Sequence, residues 1–445
     1  MLYSKKSLPL NQDDFQITLG KKGTLVSMVC ESFEHHQSLE QTKNSLRELR
    51  ELLNTLGVEP GSEHYQNRSK VDPATMLGAG KLEEIADIAR EEGSEILVFD
   101  FELTASQMRN IKKITKLDVI DRCLVILEIF AHHARTAEAK IQIEIARLNY
   151  MLPRLQSLWT HFSKQKGGIG LKGEGEQQLE LDRRIIRDKI ASYKRQLVEV
   201  GKTRQEQRKN RENKVVTAAL VGYTNAGKST LMNKLCKVDV LAEDKLFATL
   251  DSIFRTLNPD SKPPMVLIDT VGFIQNLPNT LVEGFRTTLE SALEADLLII
   301  VCDLSDPNYK THLHVTQEVL SELDIKEKDQ IIVFTKKDKV TDPFLPKIVM
   351  RNLKASFIVN AMDKVDIKNL REYIVNYFLS QQELLDIFVP YEDGSAHSRV
   401  MGNTNVIKVE NHESGIYYRI RVPDFIFNQL GLKKYILSDE SPIQK

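Results

Sequence analysis

Val215-Val216-Thr217-Ala218-Ala219-Leu220-Val221-Gly222-Tyr223-Thr224-Asn225-Ala226-Gly227-Lys228-Ser229-Thr230 decides how the chain is read. Its first seven residues are an apolar run of strand length. The next eight, Gly222 to Ser229, match G-x-x-x-x-G-K-[ST] in full, and after Thr230 Leu231 to Lys237 continue in a helical pattern. The two glycines let the backbone turn tightly and point its N–H groups inward. Those donors and the helix N-terminus together make a cradle for a polyphosphate. Lys228 would reach the β- and γ-phosphates, and the Ser229 hydroxyl would ligate Mg²⁺. A glycine-rich turn without a ligand is the plainer alternative, but strand, loop, lysine, hydroxyl and helix all agree.

Downstream, apolar strands recur at Met265–Ile268, Leu297–Asp303, Ile331–Thr335 and Phe357–Asn360, with helical stretches between them such as Leu281–Glu294 and His312–Leu323. That alternation predicts a doubly wound, mostly parallel sheet over residues 215–380. The first of these strands ends in Asp269-Thr270-Val271-Gly272. A carboxylate there can hold Mg²⁺ through water, and a glycine three residues on lets its backbone N–H approach a γ-phosphate. Upstream, Phe247-Ala248-Thr249-Leu250-Asp251 offers Thr249 as a second hydroxyl ligand of Mg²⁺. A loop held by metal and γ-phosphate is an order–disorder switch, whereas the alternative makes Thr249 a plain loop residue.

Base choice falls to Thr335-Lys336-Lys337-Asp338. An ionised Asp338 accepts two hydrogen bonds from guanine, and adenine lacks that donor pair, so the site favours GTP and GDP. The usual pattern is N-K-x-D, and Thr335 stands where Asn is expected. Asn360-Ala361-Met362 fills the last base-contacting loop, where Ser-Ala is commoner. Phe273 follows Gly272 where many GTPases carry a Gln that orients the attacking water. Hydrolysis is therefore expected to be slow until a partner completes the site, unless a backbone group or another side chain already does so. No general base is named.

The chain has 445 residues, too many for one core. With 41% apolar and 28% charged residues it has an ordinary globular composition. Cys30, Cys123, Cys236 and Cys302 are far apart with no C-x-x-C spacing, which argues against a zinc site or disulfide framework. Met1 to Asp13 has no signal-like apolar core, and no apolar run is long enough to span a bilayer. A reducing cytoplasm, no integral membrane association and a monomer are the expectations.

Four α/β-class domains are expected: an N-terminal α/β domain over 1–134, a helical hairpin over 135–214, the phosphate-loop domain over 215–380 and a small C-terminal α/β domain over 381–445. In the first, strands are expected at Thr24–Cys30, Glu95–Phe99 and Leu117–Ile120, and helices at Ser38–Leu56, Lys81–Arg90 and Thr104–Ile114. Gly78-Ala79-Gly80-Lys81 resembles a second phosphate loop but has Leu82 where a hydroxyl is needed, so it reads as a turn opening a helix. In the last, Ile416, Tyr418, Ile420 and Val422 alternate as one strand face, beside strands at Ile387–Pro390 and Val406–Val409.

In the hairpin region, Ile141, Ile145, Leu148, Leu152, Leu155, Trp159 and Phe162 recur every 3 or 4 residues, the seam of a coiled coil or helical hairpin. Pro153 should kink this helix or start a new one. The pattern returns at Leu179, Ile186, Ile190, Tyr193, Leu197 and Val200. Between the two lies Gly167 to Glu176, read as an exposed loop at the tip. Residues 135–214 carry 19 Lys and Arg against 10 Asp and Glu, a net +9 inside a chain whose total is −1. A solvated helix face is one reading of that excess. Contact with the phosphate backbone of nucleic acid is the other. Aromatics mostly fall in or beside the seam, so no single-strand stacking platform is indicated.

Taken together, Asp121-Arg122-Cys123-Leu124-Val125-Ile126-Leu127-Glu128-Ile129-Phe130-Ala131, Ala134-Arg135-Thr136-Ala137-Glu138 and Tyr150-Met151-Leu152-Pro153-Arg154-Leu155 resemble the HflX family of translational GTPases. So do Gly167-Gly168-Ile169-Gly170, Gly173-Glu174-Gly175-Glu176, Leu179-Glu180-Leu181-Asp182-Arg183-Arg184, Phe247-Ala248-Thr249-Leu250-Asp251 and Asp269-Thr270-Val271-Gly272-Phe273-Ile274. The departures are Thr335 and Asn360. The resemblance implies GTP hydrolysis with Mg²⁺, binding to the large ribosomal subunit and its rRNA, and splitting of stalled or idle ribosomes. It also implies that the hairpin tip reaches towards the peptidyl transferase centre. A nucleotide-gated enzyme acting on free RNA with GTP or ATP is the rival reading, and a scaffold with a structural nucleotide is a second.

Overall fold

The computed structural model describes residues 20–30, 38–155, 172–209, 215–237, 247, 252–258, 262, 264–274, 295–322, 328–352 and 357–437. The chain divides into two compact units, one comprising Met1–Val200, Asp244–Asp251 and Ile274–Thr287, the other Gly201–Glu243, Ser252–Phe273 and Thr288–Lys445. Among the described residues no helix is long and apolar enough to cross a membrane.

The first unit is built on a parallel four-stranded sheet of order β2-β1-β3-β4. Its strands are β1 (Lys22–Cys30), β2 (Glu59–Arg68), β3 (Ile96–Phe99) and β4 (Asp118–Asp121). Helices α1 (Leu39–Leu56), α2 (Ala79–Glu91), α3 (Ala105–Thr115) and α4 (Arg122–His133) follow the strands in turn. Local chemistry sets the helix ends. The Ser38 side chain accepts from Gln41 N while the Gln41 side chain accepts from Ser38 N, and Gly57 closes α1 with φ of +81°. Gly78 sits immediately before α2, so Gly78-Ala79-Gly80-Lys81 does open a helix.

Two elements here were not expected. β2 holds Pro60 and Gly61 and alternates only weakly; as an edge strand it needs one ladder, to β1, and no apolar face. α4 is apolar on nearly every side and almost wholly buried, which hides its helical period.

α5 (Ala137–Met151) starts at Thr136, whose hydroxyl accepts from Ala139 N at 3.2 Å. It passes through a 3₁₀ turn at Leu152–Arg154, so Pro153 ends the α-helix there. α6 (Lys172–Lys209) runs 38 residues. Leu148, Leu155, Ile186 and Ile190 form a buried cluster with Ile145, Leu152, Leu179 and Tyr193 packed against it, which is the expected seam. A second face of α5, with Ala139, Ile143, Ala146 and Tyr150, is also buried. One expectation needs correction: residues from Lys172 to Glu176 are helical rather than part of a loop, because α6 begins at Lys172. The glycine run at 167–171, with Trp159 and Phe162, lies outside the described residues.

Asp121 joins these pieces. It is the last residue of β4, has no solvent exposure, and caps α4 through Leu124 N at 2.9 Å. Its carboxylate also accepts from Leu103 N at 3.0 Å and the Tyr150 hydroxyl at 2.9 Å, and lies 3.6 Å from Arg154 Nη2. Burial pushes this carboxyl above the usual carboxylate range, and Arg154 opposes that shift. Arg154 in turn donates to Tyr150 O at 2.7 Å and lies 3.6 Å over the Tyr150 ring. The Tyr150-to-Leu155 motif is thus the bolt that fixes the start of the hairpin to the sheet.

The second unit contains a six-stranded sheet of order β10-β9-β8-β5-β7-β6. Its strands are β5 (Val216–Gly222), β6 (Ile253–Asn258), β7 (Met265–Asp269), β8 (Leu297–Asp303), β9 (Gln330–Thr335) and β10 (Phe357–Ile358). Helices α7 (Lys228–Leu235), α8 (Tyr309–Glu322), α9 (Leu345–Asn352) and α10 (Lys364–Ser380) connect them. All pairings are parallel except β6 with β7. β6 was not anticipated, and the strand expected over Phe357–Asn360 stops at Ile358, which leaves Asn360 in a loop. The helix expected at Leu281–Glu294 lies outside the described residues.

The same unit carries an antiparallel sheet of order β11-β13-β12, formed by β11 (Glu383–Pro390), β12 (Asn405–His412) and β13 (Gly415–Val422), with α11 (Gly394–Asn403) and α12 (Asp424–Leu430). Tyr418, Ile420 and Val422 are buried on one face with Ile416 packed beside them, as their alternation required.

Asp121→Ala would leave three buried donors unmet and take one of the two carboxylates from beside Arg154. We expect it to cost about 3–5 kcal/mol of local stability, read as faster amide exchange in β3 and β4. Unchanged exchange would show that Asp121 holds nothing together.

Candidate functional site

β5 lies between β7 and β8: the chain leaves β5 towards β6 and β7, then crosses to the other side for β8. The C-terminal end of β5 is therefore the topological switch point of the sheet, where such sheets open a crevice. Gly222 to Ser229 occupy it.

Gly222 and Gly227 have φ of +153° and +88°, and Asn225 has φ of +55°. A Cβ on Gly222 would lie 2.1 Å from Val301 O, so only glycine lets β5 and β8 approach this closely. The loop then folds back over its own lysine. Lys228, 6% exposed, donates to Gly222 O at 3.1 Å and Tyr223 O at 2.8 Å. Burial lowers the Lys228 pKa to about 8, with the Asp269 carboxylate pulling the other way.

The Asp269 segment lies directly beside this loop. Ser229 Oγ donates to Asp269 Oδ2 at 2.6 Å, and Asp269 is fully buried. Thr270 Oγ1 donates to Leu220 O at 2.7 Å and holds Thr270-Val271 against β5. Phe273 bridges to Tyr223: Phe273 N donates to Gly222 O at 3.0 Å and Thr224 N donates to Phe273 O at 2.7 Å. A Cβ on Gly272 would lie 2.7 Å from Thr224 Cα and 3.0 Å from Lys228 Nζ, so this close approach also depends on glycine. The Phe273 side chain is buried at 4% exposure and its backbone is spent on the phosphate loop. Thr230 continues into α7 and Ala226 is buried beneath the loop.

An oxygen-donor cation fits the paired Ser229 hydroxyl and Asp269 carboxylate, which suit Mg²⁺ rather than a soft metal. Among the described residues no cluster of three or more His, Cys, Asp or Glu could hold a metal unaided. Ala248, Thr249, Leu250 and Asp251 lie outside the described residues. Phe247 is described: it is 2% exposed, and its ring packs edge-on against Phe130 at 4.5 Å, within the first unit.

On the base side, Thr335 is buried and its hydroxyl donates to Ala226 O at 2.7 Å, with Cys302 O at 3.3 Å. In place of an amide, a hydroxyl ties the tip of β9 to the phosphate loop. Lys336 has φ of +54° and pairs with Asp303 at 2.8 Å. Lys337 and Asp338 follow in an exposed 3₁₀ turn at Lys337–Lys339. Asn360 Oδ1 accepts from Met362 N at 2.9 Å, forming an Asx turn over Ala361. Sequence reasoning missed Asp366, which accepts from Asn360 N at 2.9 Å; only its place in the first turn of a helix after that loop could have flagged it.

Family models described as GTP-binding GTPase N-terminal, GTP-binding GTPase Middle Region and 50S ribosome-binding GTPase match residues 43–131, 133–211 and 217–336. The GTPase HflX of Lacrimispora saccharolytica is 40% identical, over 88% of this chain and 92% of that protein. The GTPase HflX of Escherichia coli K12 is 36% identical, over 90% of this chain and 95% of that protein. A crystal structure of a GTP-binding protein from Sulfolobus solfataricus in complex with GDP superposes with a TM-score of 0.41 and 23% identity, over 80% of this chain and 98% of that one.

Thr335→Val keeps shape and removes the hydroxyl. Loss of one buried hydrogen bond, about 1 kcal/mol, should weaken GDP binding about fivefold in a fluorescence titration. Wild-type affinity would show that the tie to Ala226 does not support the loop.

Proposed function

The chain belongs to the HflX family of GTPases, and from that premise we propose that it binds the large ribosomal subunit and uses GTP to split stalled or idle ribosomes. The hydrolase itself follows from the family. The observation that carries the ribosomal reading is the hairpin. It is a long helical element with a net charge of +9, bolted to a folded sheet through Asp121 and Arg154, in the same chain as the phosphate loop. An excess of that size favours an RNA phosphate backbone as its partner. One family model is itself described as a 50S ribosome-binding GTPase.

In this reading, the N–H groups of Gly222 to Ser229 hold the nucleotide's phosphates and Lys228 neutralises their charge. The Gly272 N–H faces the γ-phosphate. Ser229 and Thr249 would hold Mg²⁺, with Asp269 steadying Ser229, and the ion would supply charge neutralisation at the phosphates. Asp338 accepts from guanine, and Asn360-Ala361-Met362 closes over the base. Phe273 has no polar side-chain atom with which to orient water, so hydrolysis is slow until the ribosome supplies or arranges that group. GTP orders the Thr249 loop, the hairpin presses on ribosomal RNA, and hydrolysis releases the protein. The cytoplasm is the setting this requires.

The test is GTP turnover by the full chain, alone and with purified large subunits at fixed moderate salt. We expect stimulation of at least about tenfold, less than the full effect of completing a hydrolytic site, and loss of turnover in Lys228→Ala. Basal turnover without stimulation would move the reading to free RNA. Deletion of Gly167–Gly175 should abolish splitting in sedimentation while leaving GDP affinity intact; unchanged splitting would remove the hairpin tip from the mechanism.

A further inference from the structure

We propose that Asp366 is a positioning residue that sets guanine selectivity by clamping the two base-side loops together; this rests on reading Asp338 as the guanine acceptor. Both loops leave the C-terminal ends of neighbouring parallel strands, β9 and β10. β10 is two residues long and pairs only through Phe357 with Val333 and Ile358 with Phe334. Backbone pairing ends at Val359, whose N donates to Phe334 O at 2.8 Å, so a side chain is what can hold Asn360 to the turn that carries Asp338.

Thr335 does not. Its one hydroxyl proton goes to Ala226 O at 2.7 Å, towards the phosphate loop. The Asn360 side chain does not either, since its oxygen accepts from Met362 N at 2.9 Å and closes its own turn. Asp366 reaches across. Its Oδ2 accepts from Asn360 N at 2.9 Å and lies 3.4 Å from Lys337 Nζ. Lys337 immediately precedes Asp338 in the same 3₁₀ turn. Two backbone links join the segments, Val359 N to Phe334 O at 2.8 Å and Lys337 N to Val359 O at 3.4 Å, and neither involves Asn360.

An acid in the first turn of a helix also favours the helix itself. That role is already filled at α10: Asp363 is the N-cap and accepts from Val365 N at 2.7 Å. The Asp366 carboxylate is aimed instead at the loops, and its side chain is only 18% exposed, against 49% for Lys337.

The experiment is fluorescence titration of the full chain with GDP, IDP and ADP. Inosine keeps N1–H but lacks the exocyclic amine, so the GDP-to-IDP affinity ratio reads the amine's hydrogen bond to Asp338. Asp366→Ala should weaken GDP binding about tenfold, as expected for a hydrogen bond to a charged group, and IDP binding less, so the ratio narrows. Lys337→Ala should narrow it in the same direction, and the two changes together should do little more than Asp366→Ala alone. Equal losses for all three nucleotides, or an unchanged GDP-to-IDP ratio with a lower melting temperature, would reduce Asp366 to a helix-end acid and overturn the proposal. Should Asp366→Ala not fold, Lys337→Ala and Asp366→Asn decide: wild-type ratios in both overturn it. A wild type that binds GDP and ADP equally would instead remove the guanine reading, and the clamp with it.

Discussion

A lysine ammonium buried under a backbone loop is the constraint on which the second unit depends. Lys228 lies beneath Gly222 and Tyr223, whose carbonyls it satisfies, and burial makes its charge costly. Such a group is stable only where backbone oxygens and a nearby carboxylate share its charge, or where an anion arrives from outside. Much around it follows. Gly222 is tolerated where a side chain would strike Val301, and Gly272 where one would strike Thr224 and Lys228. Asp269 stands fully buried at the end of β7, where it accepts from the Ser229 hydroxyl and its charge favours the protonated lysine.

The N-terminal sheet solves the same topological problem in the opposite way. There too the chain leaves one strand in both directions, with β1 flanked by β2 and β3, and a crevice is due at their C-terminal ends. The protein fills that place with its own cation. Arg122 is 2% exposed, donates to Asp100 at 2.7 Å and to Ser45 Oγ at 3.3 Å, and pairs with Glu48. Ser27 of β1 donates to Asp100 at 3.2 Å. Burial raises the Asp100 pKa, and Arg122 opposes that shift. One sheet thus holds its cation under a backbone loop at the switch point, and the other spends its cation on internal acids.

How much of this the sequence made legible depended on whether the information was local. The phosphate loop needs particular residues at fixed spacing, so its strand, turn and helix could be placed from the motif. The hairpin seam was readable because a 3.5-residue period is a one-dimensional signal, and Leu148, Leu155, Ile186 and Ile190 do meet. β2 was not readable, because an edge strand can be polar, and α4 was not, because full burial erases periodicity. The site was opaque where function runs through tertiary contact. Thr335 looked like a lost amide, whereas its hydroxyl keeps the link to Ala226. Asp366 looked like an ordinary first-turn acid. Nothing local to either residue announces a partner 109 or 6 positions away.

The single antiparallel pairing in the six-stranded sheet brings the start of an edge strand to the phosphate loop's floor. Because β6 runs against β7, the first rung of the ladder joins Ile253, where one strand begins, to Asp269, where the other ends. The segment feeding into β6 and the segment leaving β7 therefore meet at the same rung. That rung sets the start of β6 one residue pair from the carboxylate that accepts from Ser229, with no loop between them. The edge of the sheet and the floor of the phosphate cradle thus share one pair of residues.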